Sequence, residues 1–412
     1  MRILVLYPYV PFPLNRGTYQ RTFHLLREMA RVHEIDLLAL AEGGTRMEHR
    51  HIFESFCSKV EFIPFDLPEW PRFTDRLLKP LPITTLRWSN PNLAAALKRM
   101  LSTERYDVVH VCDINMAQYF LKEHQDIPIV IDRSRVDLQF QLMEQRQLNL
   151  GWRNRLVRFE NYSKLWFYER TIARRSSLQI VCGADDQQFI HRYIDSKLPV
   201  SVVINGADLE YFCPTCVDEE RAEEPTVVFC GAMDYSPNID GIHWYFKRIH
   251  HLLRQYVPNV RVLVVGKNPG PDVRRYDAMP EVTVTGSVKD VRPHYRKAWL
   301  QIAPLRIGGG TRLKIIESIA MGTPVVSTTV GAQGLGLCHD NEVLLADTPR
   351  EFAEQTARAL KDAHLRKGLQ RAGLEAVCSR LSWQTIGRDL NAIYARHFST
   401  SATPKNPARM TR

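Results

Sequence analysis

At 412 residues the chain is long enough for two domains that each bury a full core. A composition of 44% hydrophobic and 24% charged residues is that of an ordinary globular protein, and no apolar run approaches the roughly 18 residues that a bilayer crossing requires. No membrane-spanning helix is therefore expected, while the net charge of +10 asks for an acidic partner or surface.

In chain order, Ile3 to Leu6 is too short for the apolar region of a signal peptide and ends at Tyr7-Pro8, so it reads as a first buried strand and the protein is expected in the cytoplasm. Pro11 to Gly17 then forms a turn, followed by a helix with Phe23, Leu26 and Ala30 on one face. Further strands are expected at Ile35 to Leu40, Val108 to Cys112, Ile127 to Ile131, Leu178 to Val181 and Val200 to Ile204. His110 stands at the carboxyl end of the third strand; it either faces a cleft and orients a hydroxyl or phosphate, or is a satisfied core histidine. Arg133 and Arg135, in Asp132-Arg-Ser-Arg135, read as solvated charges or as holders of an anionic acceptor.

Residues 146–175 hold eight basic residues against Glu160 and Glu169, interleaved with Trp152, Phe159, Tyr162, Trp166, Phe167 and Tyr168. That mixture suits an anionic membrane surface, and equally a long amphipathic helix with its basic face in water. No nucleic-acid motif accompanies the charge, so nucleic acid is not expected as a partner.

The pattern breaks at Asn205-Gly-Ala-Asp208, and Asp218 to Pro225 is a polar linker. A second set of strands follows at Thr226 to Cys230, Val260 to Val265, Val282 to Thr285, Leu300 to Ala303, Pro324 to Ser327 and Val343 to Ala346. Short apolar runs alternating with helical patterns argue for two parallel sheets built from βαβ units, with ligands in a cleft beyond the carboxyl ends of the strands. The expected domains are residues 1–205 and 206–380, a closing helix at 381–398, and a basic tail at 399–412 expected to be disordered. The eight cysteines are scattered and partly in apolar strands, which suits reduced thiols, and the CxxC at Cys213 to Cys216 has no further ligands at matching spacing.

The most informative stretch is Pro304 to Ser327, which reads as strand end, glycine loop, helix and strand. Gly308, Gly309 and Gly310 let a backbone approach a phosphate, and the helix start that follows favours negative charge. Arg312 and Lys314 add full positive charge, while Glu317, three residues beyond Lys314 on the same helix face, offers two acceptor oxygens to a vicinal diol such as ribose. An exposed ion pair between Lys314 and Glu317 is the plainer alternative. Gly266, after a buried strand, is either a nucleotide-pocket lining residue or a turn glycine.

The block from Ala303 to Gly334, with Gly-Gly-Gly-Thr-Arg-Leu-Lys and Glu-Ser-Ile-Ala-Met-Gly-Thr-Pro-Val-Val, resembles the donor motif of the family 4 retaining glycosyltransferases. The resemblance implies the GT-B fold, an α/β arrangement of two Rossmann-like doubly wound parallel-sheet domains facing a central cleft. It implies a nucleotide-sugar donor, with Glu317 on the ribose, Arg312 and Lys314 on the pyrophosphate, and Gly17 and the loop from Gly308 to Thr311 around the phosphates. The family's usual motif has a glutamate where this chain has Gly309, and that glutamate normally touches the donor sugar. Relatives also carry arginine and lysine near the positions of Met233 and Asn238, so charge neutralisation should fall to Arg312 and Lys314.

No Asp-x-Asp pair occurs, so transfer without a metal or other cofactor is expected. The leading expectation is retaining transfer of a sugar to a hydroxyl of a glycan or lipid-linked acceptor, by an enzyme that is cytoplasmic or peripheral at the inner face of a membrane. A sugar-nucleotide epimerase on the same fold and a non-catalytic binding module are the competing readings.

Overall fold

The computed structural model describes residues 1–66, 79–121, 127–147, 152–214, 221–307 and 311–398, with the side chains of 44–46, 144–147 and 152–157 outside that description. The tail at 399–412 and the triplet Gly308 to Gly310 also lie outside the described residues. The first sheet comprises β1 (Arg2–Tyr7), β2 (Glu34–Glu42), β3 (Lys59–Phe65), β4 (Val108–Cys112), β5 (Ile129–Asp132), β6 (Leu178–Val181) and β7 (Val200–Val202), in the order β3-β2-β1-β4-β5-β6-β7. Every pairing is parallel, with Ile3 opposite both Ile35 and Val108.

The sequence pattern misses β3, because Glu61 and Pro64 interrupt its apolar run. An edge position tolerates both, since proline there gives up no ladder hydrogen bond. The central strands are buried along nearly their whole length and mostly apolar, because helices cover both faces, as all-parallel sheets require.

The second sheet has β8 (Thr226–Cys230), β9 (Arg261–Val265), β10 (Val282–Gly286), β11 (Leu300–Ala303), β12 (Val325–Ser327) and β13 (Leu344–Leu345), also parallel, in the order β10-β9-β8-β11-β12-β13. Strand order reverses between β1 and β4 in the first sheet and between β8 and β11 in the second. Loops diverge at such switch points and leave a crevice for ligands.

Helix α1 (Gly17–Ala30) leaves the first crevice. Helices α2 (Asp137–Gln147), α3 (Trp152–Ala173) and α4 (Ala184–Tyr193) flank β5 and β6. In the second domain α5 (Ser236–Trp244) follows β8, and α6 (Leu313–Ala320) lies between β11 and β12. The last helix, α7 (Trp383–Phe398), returns to the first domain and packs on α1. There Trp383 stacks on His24 at 5.2 Å, and a Cβ at Gly387 would sit 2.3 Å from that of Glu28, so the close helix approach requires glycine.

Candidate active site

Helix α6 places its charges by amphipathicity. Leu313, Ile315, Ile316, Ile319 and Ala320 face the core, which leaves Lys314 and Glu317 on the cleft side, half-buried. They form no ion pair with one another. Lys314 Nζ donates to Asn238 Oδ1 at 2.7 Å and lies 4.3 Å from the centre of the Phe229 ring, while Glu317 Oε1 accepts from Gln20 Nε2 of α1 at 3.1 Å. Each charge therefore rests on neutral partners.

Desolvation pushes Lys314 down to about 7, against the pull of Cys230 and Glu317, and pushes Glu317 up to about 7, against Gln20 and Lys314. Arg312, at 8% exposure, is also lowered by burial, offset by Tyr235, Asp186 and Asp185. Near neutral pH an arriving anion meets the Arg312 guanidinium and a half-protonated Lys314, and hydroxyl groups meet a half-ionised Glu317.

The first domain closes over this group. A Cβ at Gly17 would lie 3.0 Å from Leu313 Cδ1, so the start of α1 abuts the start of α6. Thr311 Oγ1 accepts from Asn205 N at 3.1 Å and sits 3.5 Å from Cys182 O, which ties the loop before α6 to the inter-domain segment and the end of β6. Phe140 of α2 stacks on Tyr235 beside α5 with ring centres 6.3 Å apart. Gly266 serves close packing, since a Cβ there would fall 1.7 Å from Gly231 O. Gly17, Thr311, Arg312, Lys314 and Glu317 are thus brought together.

His110 is not among them. It is buried at 3% exposure, with Nδ1 bonded to the Tyr394 hydroxyl of α7 and Nε2 3.6 Å from Asp132 Oδ2, the surroundings of a core histidine that orders the domain junction. Asp132 is held mainly by Arg21, at 2.7 Å. His110, Cys112 and Asp132 bring ligand-type atoms within 4.8 Å of one another, but the buried Arg21 guanidinium already neutralises the carboxylate and disfavours a cation there.

Neither expectation for Arg133 holds. It is buried and bonded through both terminal nitrogens to Glu169, because a residue following β5 faces α3. Arg135 pairs with Asp137 at 2.8 Å and stacks on Phe140.

Sequence reasoning missed Gln20 and Phe229 as partners of the site, and gave Asn238 no contact. It also missed Asp113, whose φ of +79 places it in a region rarely occupied by non-glycine residues at the end of β4. Asp113 Oδ1 caps the following turn by accepting from Asn115 N at 2.8 Å, and burial, with Asp137, pushes its carboxyl up to about 6. It lines a polar hollow of about 10 Å³ with Tyr7, Tyr9, Arg21 and Ser134, room for one water. A lone aspartate after a strand carries no sequence signal of that strain.

Residues 16–211 match the family described as Glycosyltransferase Family 4, and residues 224–362 the family described as Glycosyl transferases group 1. The chain is 21% identical over 365 residues to an uncharacterized 44.6 kDa protein in the cps region of Klebsiella pneumoniae, spanning 86% of this chain and 89% of that one. In fold it is similar to sucrose-phosphate synthase from Thermosynechococcus elongatus, with a TM-score of 0.72 at 17% identity over 97% of this chain and 100% of that one. It is also similar to Anabaena HepE in complex with UDP-glucose, with a TM-score of 0.65 at 15% identity over 96% and 99% of the two chains.

Proposed function

The chain belongs to family 4 of the glycosyltransferases, and on that premise we propose that it moves a sugar, with retention, from a nucleoside diphosphate sugar to a hydroxyl of a glycan or lipid-linked acceptor in polysaccharide synthesis. The observation that carries the donor reading is the placement of Lys314 and Glu317, unpaired with each other and facing the cleft on neutral partners. Uridine diphosphate sugars head the candidates, because a protein of the same fold is known in complex with UDP-glucose.

In this reading Glu317 exchanges Gln20 for the ribose hydroxyls, and Arg312 and Lys314 hold the pyrophosphate. Approach of that anion restores the proton on Lys314, since a nearby negative charge favours the charged amine. Transfer breaks the bond from the anomeric carbon to the diphosphate and forms one to the acceptor oxygen on the same face. The acceptor's proton passes to the departing diphosphate oxygen. The two cations stabilise charge that grows on the leaving group, so they act on the transition state more than on the ground state. They also supply the charge that a divalent cation would otherwise bring, so we propose transfer without a metal.

Thermal-shift screening of nucleotide sugars, then incubation of the stabilising donor with an acceptor panel and assignment of the anomeric product, tests the reading. Stabilisation by a nucleoside diphosphate sugar and an axial or equatorial linkage matching the donor's own is expected. Stabilisation by no nucleotide sugar contradicts the donor site, and formation of an epimeric sugar from donor in water alone replaces transfer by epimerisation.

A further inference from the structure

Helix α3 buries Leu165, Tyr168 and Ile172 against the sheet and turns a different face outward. At about 100° per residue, Phe159, Ser163, Phe167, Arg170 and Arg174 fall within about 80° of one another on that face. Phe159 is 68% and Phe167 65% exposed, and they are the two exposed phenylalanines among the described residues. Phe167 meets the Trp166 ring edge-on at 4.9 Å, and both phenyl rings stay mostly open to solvent among the described residues.

Beside them the ends of α3 and α4 enclose a hollow of about 280 Å³ lined by Arg170, Arg174, His191 and Arg192, with Asp195 its one acid. None of these three arginines forms an ion pair among the described residues. On the second domain, by contrast, Arg261, Arg306 and Arg358 each hold a carboxylate. Two of them lie instead against aromatic surface: Arg170 is 4.9 Å from the centre of the Trp166 ring and Arg192 5.3 Å from that of Tyr193, itself 48% exposed.

We infer that this face of α3 and α4 docks on an anionic lipid bilayer, with the phenylalanines entering the headgroup boundary and the arginine hollow taking lipid phosphate. Uncompensated positive charge around exposed aromatic rings is the chemistry that recognises such a surface. An acidic protein surface would satisfy the arginines but leave both phenyl rings without apolar cover. No helix among the described residues is long and apolar enough to cross a membrane, so the contact is one of lying on the surface. The inference stands apart from the donor site and its test needs no turnover.

The full chain is co-sedimented with phosphatidylcholine vesicles with and without phosphatidylglycerol, at low and high salt. Binding to the anionic vesicles only, weakening with salt, is expected. Arg170→Glu/Arg174→Glu/Arg192→Glu should lower the partition coefficient by at least about 30-fold, and Phe159→Ser/Phe167→Ser should lower it with the salt dependence kept. Unchanged melting and nucleotide affinity would show each variant folded; should the triple variant fail to fold, the phenylalanine pair and the salt series decide. Equal sedimentation with neutral lipid, or no effect of either variant, overturns the assignment.

Discussion

The two domains each hold a group of charged side chains, and the groups differ in how they are paired. In the first domain Arg21 meets Asp132, and Arg133 meets Glu169, each cation on its own carboxylate with side-chain exposures of 4% or less. In the second, Lys314 rests on Asn238 and Glu317 on Gln20. The titration behaviour follows. Burial alone would push Asp132 up, but Arg21 and His110 hold it down at about 2, whereas desolvation prevails at Lys314 and Glu317 and brings both to about 7. Paired charge builds a domain, and charge kept on neutral partners is left available to a ligand.

The comparison breaks most visibly if the paired group is cut. Arg21→Met leaves Asp132 buried without its cation and should cost about 3–5 kcal/mol of stability in denaturant titration; melting like the unmodified protein would remove the structural role. Lys314→Met and Arg312→Ala should each lower turnover at saturating donor by roughly 100-fold or more, at least about 2.7 kcal/mol of barrier, while the fold survives. Glu317→Ala should weaken donor binding by about 1.5–3 kcal/mol in calorimetry, the scale of hydrogen bonds to a charged acceptor, and an unchanged affinity would reassign the ribose.

The smallest effect is the pH dependence of the unliganded protein. The folded chain keeps the Glu317 proton to about pH 7 but the unfolded chain only to about 4.5, so this residue's contribution should fall as pH rises between those values. For Lys314 the unfolded chain keeps its proton to about 10.5 and the folded chain to about 7, so its contribution should rise across that window. Melting profiles of Glu317→Gln and Lys314→Met should lose the acid and alkaline segments respectively.

The parallel sheets and the charge of α6 were legible because apolar runs and a glycine-to-cation junction are local signals. β3 was not, since an edge strand carries proline and glutamate that a central strand would refuse. His110 stayed open for a related reason. All five residues of β4 are buried, so no alternation reveals which face a side chain takes, and its partner Tyr394 is 284 residues away. Arg133 looks solvated until Glu169, on a helix that begins 15 residues after α2's first residue, folds against it. Gln20 and Asn238 are uncharged polar residues on ordinary helices; the closing of one domain on the other gives Gln20 its role, and the approach of α5 to α6 within the second domain gives Asn238 its own.

The central claim is that the Lys314 and Glu317 group is arranged for a donor at no gain to the unliganded fold. The most direct test is the melting of Lys314→Met with and without UDP-glucose, beside the unmodified protein and Arg21→Met. We predict that the lysine variant, without ligand, melts with the unmodified protein or above it and loses the ligand-induced rise. A variant that melts as low as Arg21→Met, or that keeps the full rise, would contradict the account.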